Sequence, residues 1–443
     1  MMRIALPVLT ALWLVSGWSE LAFSGSGNGV GGSPGFASSS PTIAVDSSGN
    51  PTVAWAEELG GGNTEIYVRH FDGSSWVELT GSATGGGVSA TPGPSTSPVI
   101  ALKPSGNPVV AWVEGGLISV KRYTGAAWVP LGAPFGGPAA QRPSIALNSL
   151  GDPIVAWADL VAGGNIYVRQ WDGAAWNPLP GSDANAGIPT AAPSTEPSIA
   201  LTAADVVTVA WTEDLGGGNA EIYAATNDGA NWVGLGGSLT GGGISATAGA
   251  SASPSVALNS SSNPVVAWSE DLGGGNHDIY LKQFDGIAWV EIASSASAGG
   301  ISSSAGDSTV PSLVTIESSA TPVVAWDENV SGNTEVYARR LTGGSWVETL
   351  GSSTGGGVSS TAGASFAPSL ARDAANTLSV AWAEDVSGTT EVYARRTMGS
   401  SGGSGSTGGV TVTSAKQQPS CGLLGAETVL LLLLLARRST SRS

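Results

Sequence analysis

Seven near-copies of one unit, each with four short β patterns and one long link to the next, predict an all-β chain folded as a seven-bladed β-propeller. Each copy carries a Trp in a V-A-W context, at Trp55, Trp112, Trp157, Trp211, Trp268, Trp326 and Trp382, recurring every 45–58 residues. A second Trp follows in six copies, at Trp76, Trp128, Trp176, Trp232, Trp289 and Trp346. Four-stranded units of about 55 residues match propeller blades and are too short for separate sandwich domains of about 100 residues.

The first copy shows the pattern in order. Strand A is Thr42–Val45, followed by the turn Asp46–Pro51. Strand B, Thr52–Glu57, leads through Gly60–Asn63 to strand C, Glu65–His70, and Asp72-Gly73 turns the chain into strand D, Ser75–Leu79. Asp-Gly and Gly-Asn-Pro between β-branched runs are hairpin signals, because Gly takes φ > 0 and Pro presets φ. Period-two alternation sets Val53, Trp55 and Glu57 on one face of strand B and Ala54 and Ala56 on the other. The A–B, B–C and C–D links are mostly hairpin-length, whereas the D-to-A link is long, as at Thr80–Ser97. A chain crossing from the outermost strand of one blade to the innermost of the next needs that length, so A is expected inside and D outside. The seventh copy has strand C, Glu391–Arg396, but no second Trp. Its outer strand is expected from Val410–Thr413, or the edge stays bare or is covered by the Gly-rich segment near Gly25–Ser40.

The copies place the propeller at 41–397, with repeats at 41–97, 98–142, 143–196, 197–253, 254–310, 311–367 and 368–397. A Gly/Ser-rich lead-in, 25–40, precedes it and a Gly/Ser-rich linker, 398–420, follows. Residues 1–24 read as a secretory signal: Arg3, the apolar Ile4–Val15, then Ala22-Phe23-Ser24 as a small-x-small cleavage pattern. Residues 421–443 hold Cys421, a short apolar run over Val429–Ala436, and Arg437, Arg438 and Arg442. A chain with these ends is expected to be exported and tethered to a membrane at least for a time, at the cell surface or outside the cell.

Composition excludes several classes. The net charge is −17 with 17 Lys and Arg spread along the chain, so the clustered basic footprint of a nucleic-acid binder is absent. One cysteine in 443 residues permits no intrachain disulfide and no Cys-ligated zinc site. His70 and His277 occupy different repeat positions, which disfavours a histidine metal site. No cofactor is expected. The hard-oxygen alternative is Ca²⁺ held by acids around the B–C turn, such as Glu57/Glu58, Glu213/Asp214, Glu270/Asp271, Asp327/Glu328 and Glu384/Asp385. Their bland reading is a solvated rim partly neutralised by strand-C arginines.

Two resemblances add to these readings. The P-S-I-A-L…G-N-P-V-V-A-W…I-Y-V-R…W pattern over Pro41–Arg396 resembles bacterial exported propellers of the sialidase-like and WD40/YVTN-like superfold. The sialidase Asp-box is only approximated, by Asp46…Gly49…Trp55 in copy 1. The last 25 or so residues resemble the PEP-CTERM, GlyGly-CTERM and MYXO-CTERM-like sorting signals, in whose Cys-containing members the cysteine is the processing and anchoring point; here Cys421 holds that position. Sialidase-type chemistry would use a Tyr–Glu pair, but Tyr67, Tyr167, Tyr223, Tyr280, Tyr337 and Tyr393 recur at equivalent positions, as packing residues do.

Departures from the repeat are more informative than the repeat. Copy 2, Pro98–Arg142, lacks the long B–C turn and carries Lys103, Lys121, Arg122 and Arg142 against one acid, Glu114. Those four cations are the candidate anionic-ligand contact. No catalytic set stands apart from the repeats, so the expected protein is a monomeric, surface-displayed module that binds a surface protein or glycan partner without chemistry. The alternatives are a lectin with a Trp-based site per blade and a sialidase-like glycoside hydrolase or lyase. A cluster of non-repeated polar residues at the central channel would favour the enzyme.

Overall fold

The computed structural model describes residues 17–21, 29–31 and 36–397, apart from 162–163, 183–186, 272, 274, 317–320, 350 and 353–355. These residues form seven four-stranded antiparallel sheets with no helix among them. The predicted fold class is the observed one. Blade 1 comprises strand A (Ser38–Val45), B (Pro51–Glu58), C (Thr64–Phe71) and D (Trp76–Glu78), hydrogen-bonded in that order. Each strand A touches the strand A of the blades on either side, and the strands A of blades 7 (Ser365–Arg372) and 1 meet to close the ring. A therefore lines the central channel and D lies outermost, as the link lengths implied.

Every strand A starts earlier than its sequence suggested, because it carries a bulge at the residue before its proline. In blade 1 the register shifts between Ser39 and Thr42, and equivalent shifts recur in the other six blades. Beyond the bulge a serine bonds outward to the next blade. The Oγ atoms of Ser144, Ser198, Ser255, Ser312 and Ser369 accept the N–H of Ile199, Val256, Leu313, Leu370 and Ile43, respectively, at 2.9–3.1 Å. This explains the recurrent Pro-Ser pair: the proline removes a donor at the bulge and the serine ties two innermost strands.

The two Trp series hold the blades together. The first is fully buried and packs each blade against its predecessor, as Trp55 does with Val53, Tyr67, Ala381 and Val392. The second clasps the outer strands: the indoles of Trp76, Trp128, Trp176, Trp289 and Trp346 donate to Leu21, Leu79, Leu131, Leu235 and Ile292 carbonyls at 2.6–3.0 Å.

Ring closure corrects the sequence expectation. The outer strand of blade 7 is Trp18–Glu20, which pairs antiparallel with Thr389–Thr397 in the register Trp18↔Thr397, Ser19↔Arg396, Glu20↔Arg395. Val410–Thr413, like Cys421 and the whole C-terminal segment, lies outside the described residues. Trp18 is the missing second Trp: its indole donates to the Thr349 carbonyl at 2.8 Å, the contact that five of its six counterparts make. The Val30 N–H then bonds the Val392 carbonyl at 2.6 Å, as Val88 bonds Ile66 in blade 1. Both ends of the described chain thus share the last blade, which makes the ring hard to open at its seam.

Candidate functional site

Antiparallel A-B-C-D order puts the B–C turns and D–A links on one face and the A–B and C–D turns on the other. The acids that follow the strand-B Trp and those that open strand C lie toward the first face. There the Trp indole of strand B donates to the carboxylate two residues on, in Trp55–Glu57, Trp112–Glu114, Trp211–Glu213, Trp268–Glu270, Trp326–Glu328 and Trp382–Glu384, at 2.8–3.2 Å. A strand-C acid stands directly across in five blades, as Glu57↔Glu65 and Glu384↔Glu391. Like charges so placed repel, and burial raises the carboxyls of Glu221, Asp278, Glu335, Glu384 and Glu391. The expected solvated rim is therefore a buried one. Its strand-C cations lie near enough to attract it, but their hydrogen bonds go elsewhere: Arg69, Lys121, Lys282, Arg339 and Arg395 donate to backbone carbonyls of Val30, Val88, Ile244, Ile301 and Val358 in the preceding D–A link.

The strand-C acid instead leans on a serine. Ser89, Ser245 and Ser302 donate to Glu65, Glu221 and Asp278 at 2.5–2.6 Å, and Ser359 bonds Glu335. Blade 7 breaks this rule. The segment Gly29-Val30-Gly31 takes the place of Gly87-Val88-Ser89, so Glu391 meets a glycine. Glu391 is 6% exposed, its Oε2 has no hydrogen-bond partner among the described residues, and burial beside Glu57 pushes it up to about 7.

The repeated aromatics are packing. Tyr67, Tyr167, Tyr223, Tyr337 and Tyr393 stack on their blade's Trp at 5.5–6.2 Å, and the Tyr67 and Tyr223 hydroxyls donate to Gly85 and Gly241 carbonyls at 2.7 Å. Burial pushes Tyr67 and Tyr393 up to about 12, which keeps the phenols protonated. With the first Trp series sealed in the core, the Trp-based site per blade has no exposed platform there.

Charged groups that break the repeat converge on the channel mouth of the same face. The seven bulge residues, Ser40, Ser97, Arg142, Glu196, Ser253, Val310 and Ala367, share a left-handed φ of 48–57° at the inner end of strand A. In four blades this position is Ser or Ala; in blades 3 and 4 it is Arg142 and Glu196, whose side chains form an ion pair. Arg142 is 56% exposed and Glu196 15%. The second Glu196 oxygen accepts the Ser253 N–H at 2.7 Å and the Thr212 hydroxyl at 3.1 Å. Three elements from successive blades thus fix one carboxylate, leaving a guanidinium beside it open to solvent. Further round, Asp327 takes the place of Ala56, Val113, Ala158, Thr212, Ser269 and Ala383 in the strand after the Trp. It accepts the Thr309 hydroxyl at 2.5 Å and the Ala367 N–H at 2.9 Å, and burial raises its carboxyl above the usual range. His277, at the start of strand C in blade 5, and Asp307, at the start of strand A in blade 6, form a part-exposed pair 2.7 Å apart.

Of the four candidate cations, only Arg142 reaches this mouth. Lys103 follows strand A of blade 2 and sits on the opposite face. Lys121 is committed to the Val88 carbonyl at 2.7 Å and lies over Trp112 at 5.8 Å. Arg122 is on strand C, away from the channel. Basic count in one copy did not translate into one site, because successive strands of a blade carry residues to different radii. No cluster of three metal-ligating side chains occurs among the described residues. A cavity of about 360 Å³ lies at the opposite mouth, lined by Leu201, Leu258, Leu313 and Arg372, without a carboxylate.

No family model matches this chain, and no curated protein matches its sequence. Among solved structures it is similar to a PL25 polysaccharide lyase, an ulvan lyase bound to -[GlcA(1-4)Rha3S]-, with TM-score 0.50 and 11% identity over 81% of this chain and 93% of that one. It is also similar to a protein of unknown function from Dyadobacter fermentans DSM 18053, with TM-score 0.45 and 13% identity over 82% and 94%. A Hadza microbial sialidase gives TM-score 0.41 and 15% identity over 66% and 63%. At these identities the likeness is one of fold. It nonetheless overturns the expectation of a propeller without chemistry, since the lyase is an enzyme built on the same ring. Arg142, Glu196 and Asp327 depart from the repeat, and all three lie toward the same end of the channel, Asp327 buried.

Proposed function

We propose that this chain is a carbohydrate-active propeller that takes a polysaccharide at the axial mouth carrying Arg142 and Glu196. The observation that carries this is the pairing there of two charged groups at a position that is uncharged in the other five blades. A guanidinium exposed beside a fixed carboxylate offers a donor fork for sugar carboxylates or hydroxyls, and a base for a proton of the sugar or of an attacking water. Arg142 is the contact and Glu196 the acid–base group; Asp327, buried, is a positioning residue that holds the Ala367 bulge on the facing side. The acid-rich face around them, in a chain of net charge −17, would leave Arg142 as the point of attraction for an anionic sugar. The lyase with the same fold acts on such a chain. The signal-like N-terminal segment and the sorting-signal-like 421–443 support action outside the cytoplasm, on a membrane tether.

The test is a panel of neutral and uronate-bearing polysaccharides, followed by chain length and by the ultraviolet absorbance of unsaturated ends. Wild type should shorten at least one uronate-bearing polymer. Glu196→Gln should lose at least 100-fold in rate while keeping its melting temperature. Shortening that survives Glu196→Gln unchanged, or an intact panel, would refute the proposal.

A further inference from the structure

We infer that the exported chain is cut between Gly17 and Trp18, so that the mature protein starts on the first residue of its ring-closing strand. Cutting after Ser24, as the Ala22-Phe23-Ser24 pattern suggests, would discard Trp18–Leu21, and the structure shows what those residues hold. Trp18 is 6% exposed and Leu21 2%. The Trp18 indole bonds the Thr349 carbonyl of blade 6, and the Leu21 carbonyl accepts the Trp76 indole of blade 1 at 3.0 Å. Ser19 donates to the Arg396 carbonyl at 3.3 Å, and Glu20 pairs with Arg395 at 3.5 Å. The four residues therefore join three blades, and without them the end of strand C in blade 7 is an unpaired edge, the hazard that propellers avoid by closing.

Local sequence agrees with the earlier cut. Trp18-Ser19-Glu20-Leu21 repeats Trp76-Val77-Glu78-Leu79, so it belongs to the blade pattern and not to the leader. What remains upstream is a complete signal by itself: Arg3, an apolar Ile4–Leu14, and Val15-Ser16-Gly17 with its smallest side chain at the cut. Pairing starts at the very next residue. A peptidase of the signal-peptidase class would add water across the Gly17–Trp18 bond, leaving a carboxylate on Gly17 and an ammonium on Trp18.

This rests on the export reading and is independent of the polysaccharide reading. The experiment is expression of the full chain in a secreting bacterial host, with N-terminal sequencing and intact mass of the exported protein. Trp-Ser-Glu-Leu-Ala-Phe is the expected start. Gly17→Tyr should abolish that start, and Ser24→Tyr should leave it in place. An exported chain that begins at Gly25 or retains Met1, or a Trp18 start that survives Gly17→Tyr, overturns the inference alone. A chain that is found only uncleaved in the cytoplasm overturns it together with export.

Discussion

Gly31→Ser should repair the one blade whose strand-C acid lacks its serine. A Cβ on Gly31 would lie 3.4 Å from Glu391 Oε2, 3.6 Å from Ser38 Oγ and 3.8 Å from Glu57 Oε2, all ordinary contacts, and its φ lies outside the left-handed region. In the other blades the serine both donates to the acid and accepts a strand-C N–H, as Ile66 N to Ser89 Oγ at 2.8 Å. Glu391, lifted from 4.5 to about 7, binds its proton more tightly folded than unfolded. The stabilisation this gives is therefore full below pH 4.5 and is lost as pH rises through 7. At about 1.4 kcal/mol per pKa unit the ceiling is roughly 3 kcal/mol, and solvent screening near the face brings it to about 1–2. The new hydroxyl, bonding a charged acceptor, should recover about that much at pH 8 and less at pH 5. Thermal unfolding at both pH values reads it, as a rise of about 2–4 °C at pH 8. Gly31→Ala controls for the lost backbone freedom of glycine, about 0.4–1 kcal/mol at either pH. A gain that is equal at pH 5 and pH 8, or equal for Ser and Ala, would refute the reasoning.

The remaining predictions concern the seam, the inner ring and the mouth. Trp18→Ala should cost about 3 kcal/mol in urea unfolding, as truncation of a buried Trp does; a loss below about 1 kcal/mol would mean the closing strand contributes little. Ser255→Ala strands the Leu313 N–H, bonded at 3.0 Å, and should cost about 1–3 kcal/mol, with no loss arguing against the serine ties. Asp327→Asn keeps the shape and removes a titrating group whose burial favours its protonated form. It should gain on wild type as pH rises above the ordinary aspartate value of 3.8, and a difference that stays flat from pH 3 to pH 8 would contradict the raised carboxyl. Arg142→Ala, half exposed, should leave stability within about 0.5 kcal/mol while raising KM at least tenfold for an anionic polymer; an unchanged KM would remove Arg142 from the contact.

Most of the ring was legible because its signals are periodic. Paired Trp, Gly-Asn-Pro and Asp-Gly turns, and one long link per unit gave blade number, strand order and which strand is innermost. The closing strand escaped because Trp18-Ser-Glu-Leu sits directly after an apolar run, where a leader is the dominant pattern; its match to Trp76-Val-Glu-Leu was the available signal. Gly31 was hidden for the same reason, since Gly-Val-Gly reads as part of a glycine-rich lead-in until it is laid over Gly-Val-Ser. Asp327 was grouped with Glu328 as an ordinary acidic pair, although the Trp–Glu spacing assigns Glu328 to the repeat and leaves Asp327 as the extra. The Arg142–Glu196 pair was invisible as a pair because its members are 54 residues apart and meet only when strand A positions are stacked around the axis. Charge counting within one copy could not see that Lys121 spends its donors on its neighbour's backbone.

The most direct measurement is a crystal structure of the protein with an oligosaccharide from whichever polymer it shortens, soaked into Glu196→Gln. The sugar should lie in the axial mouth, with a carboxylate or hydroxyl on the Arg142 guanidinium and the scissile bond facing residue 196. A sugar seated at the opposite mouth against Arg372, or on the outer wall by the second Trp series, would contradict the account.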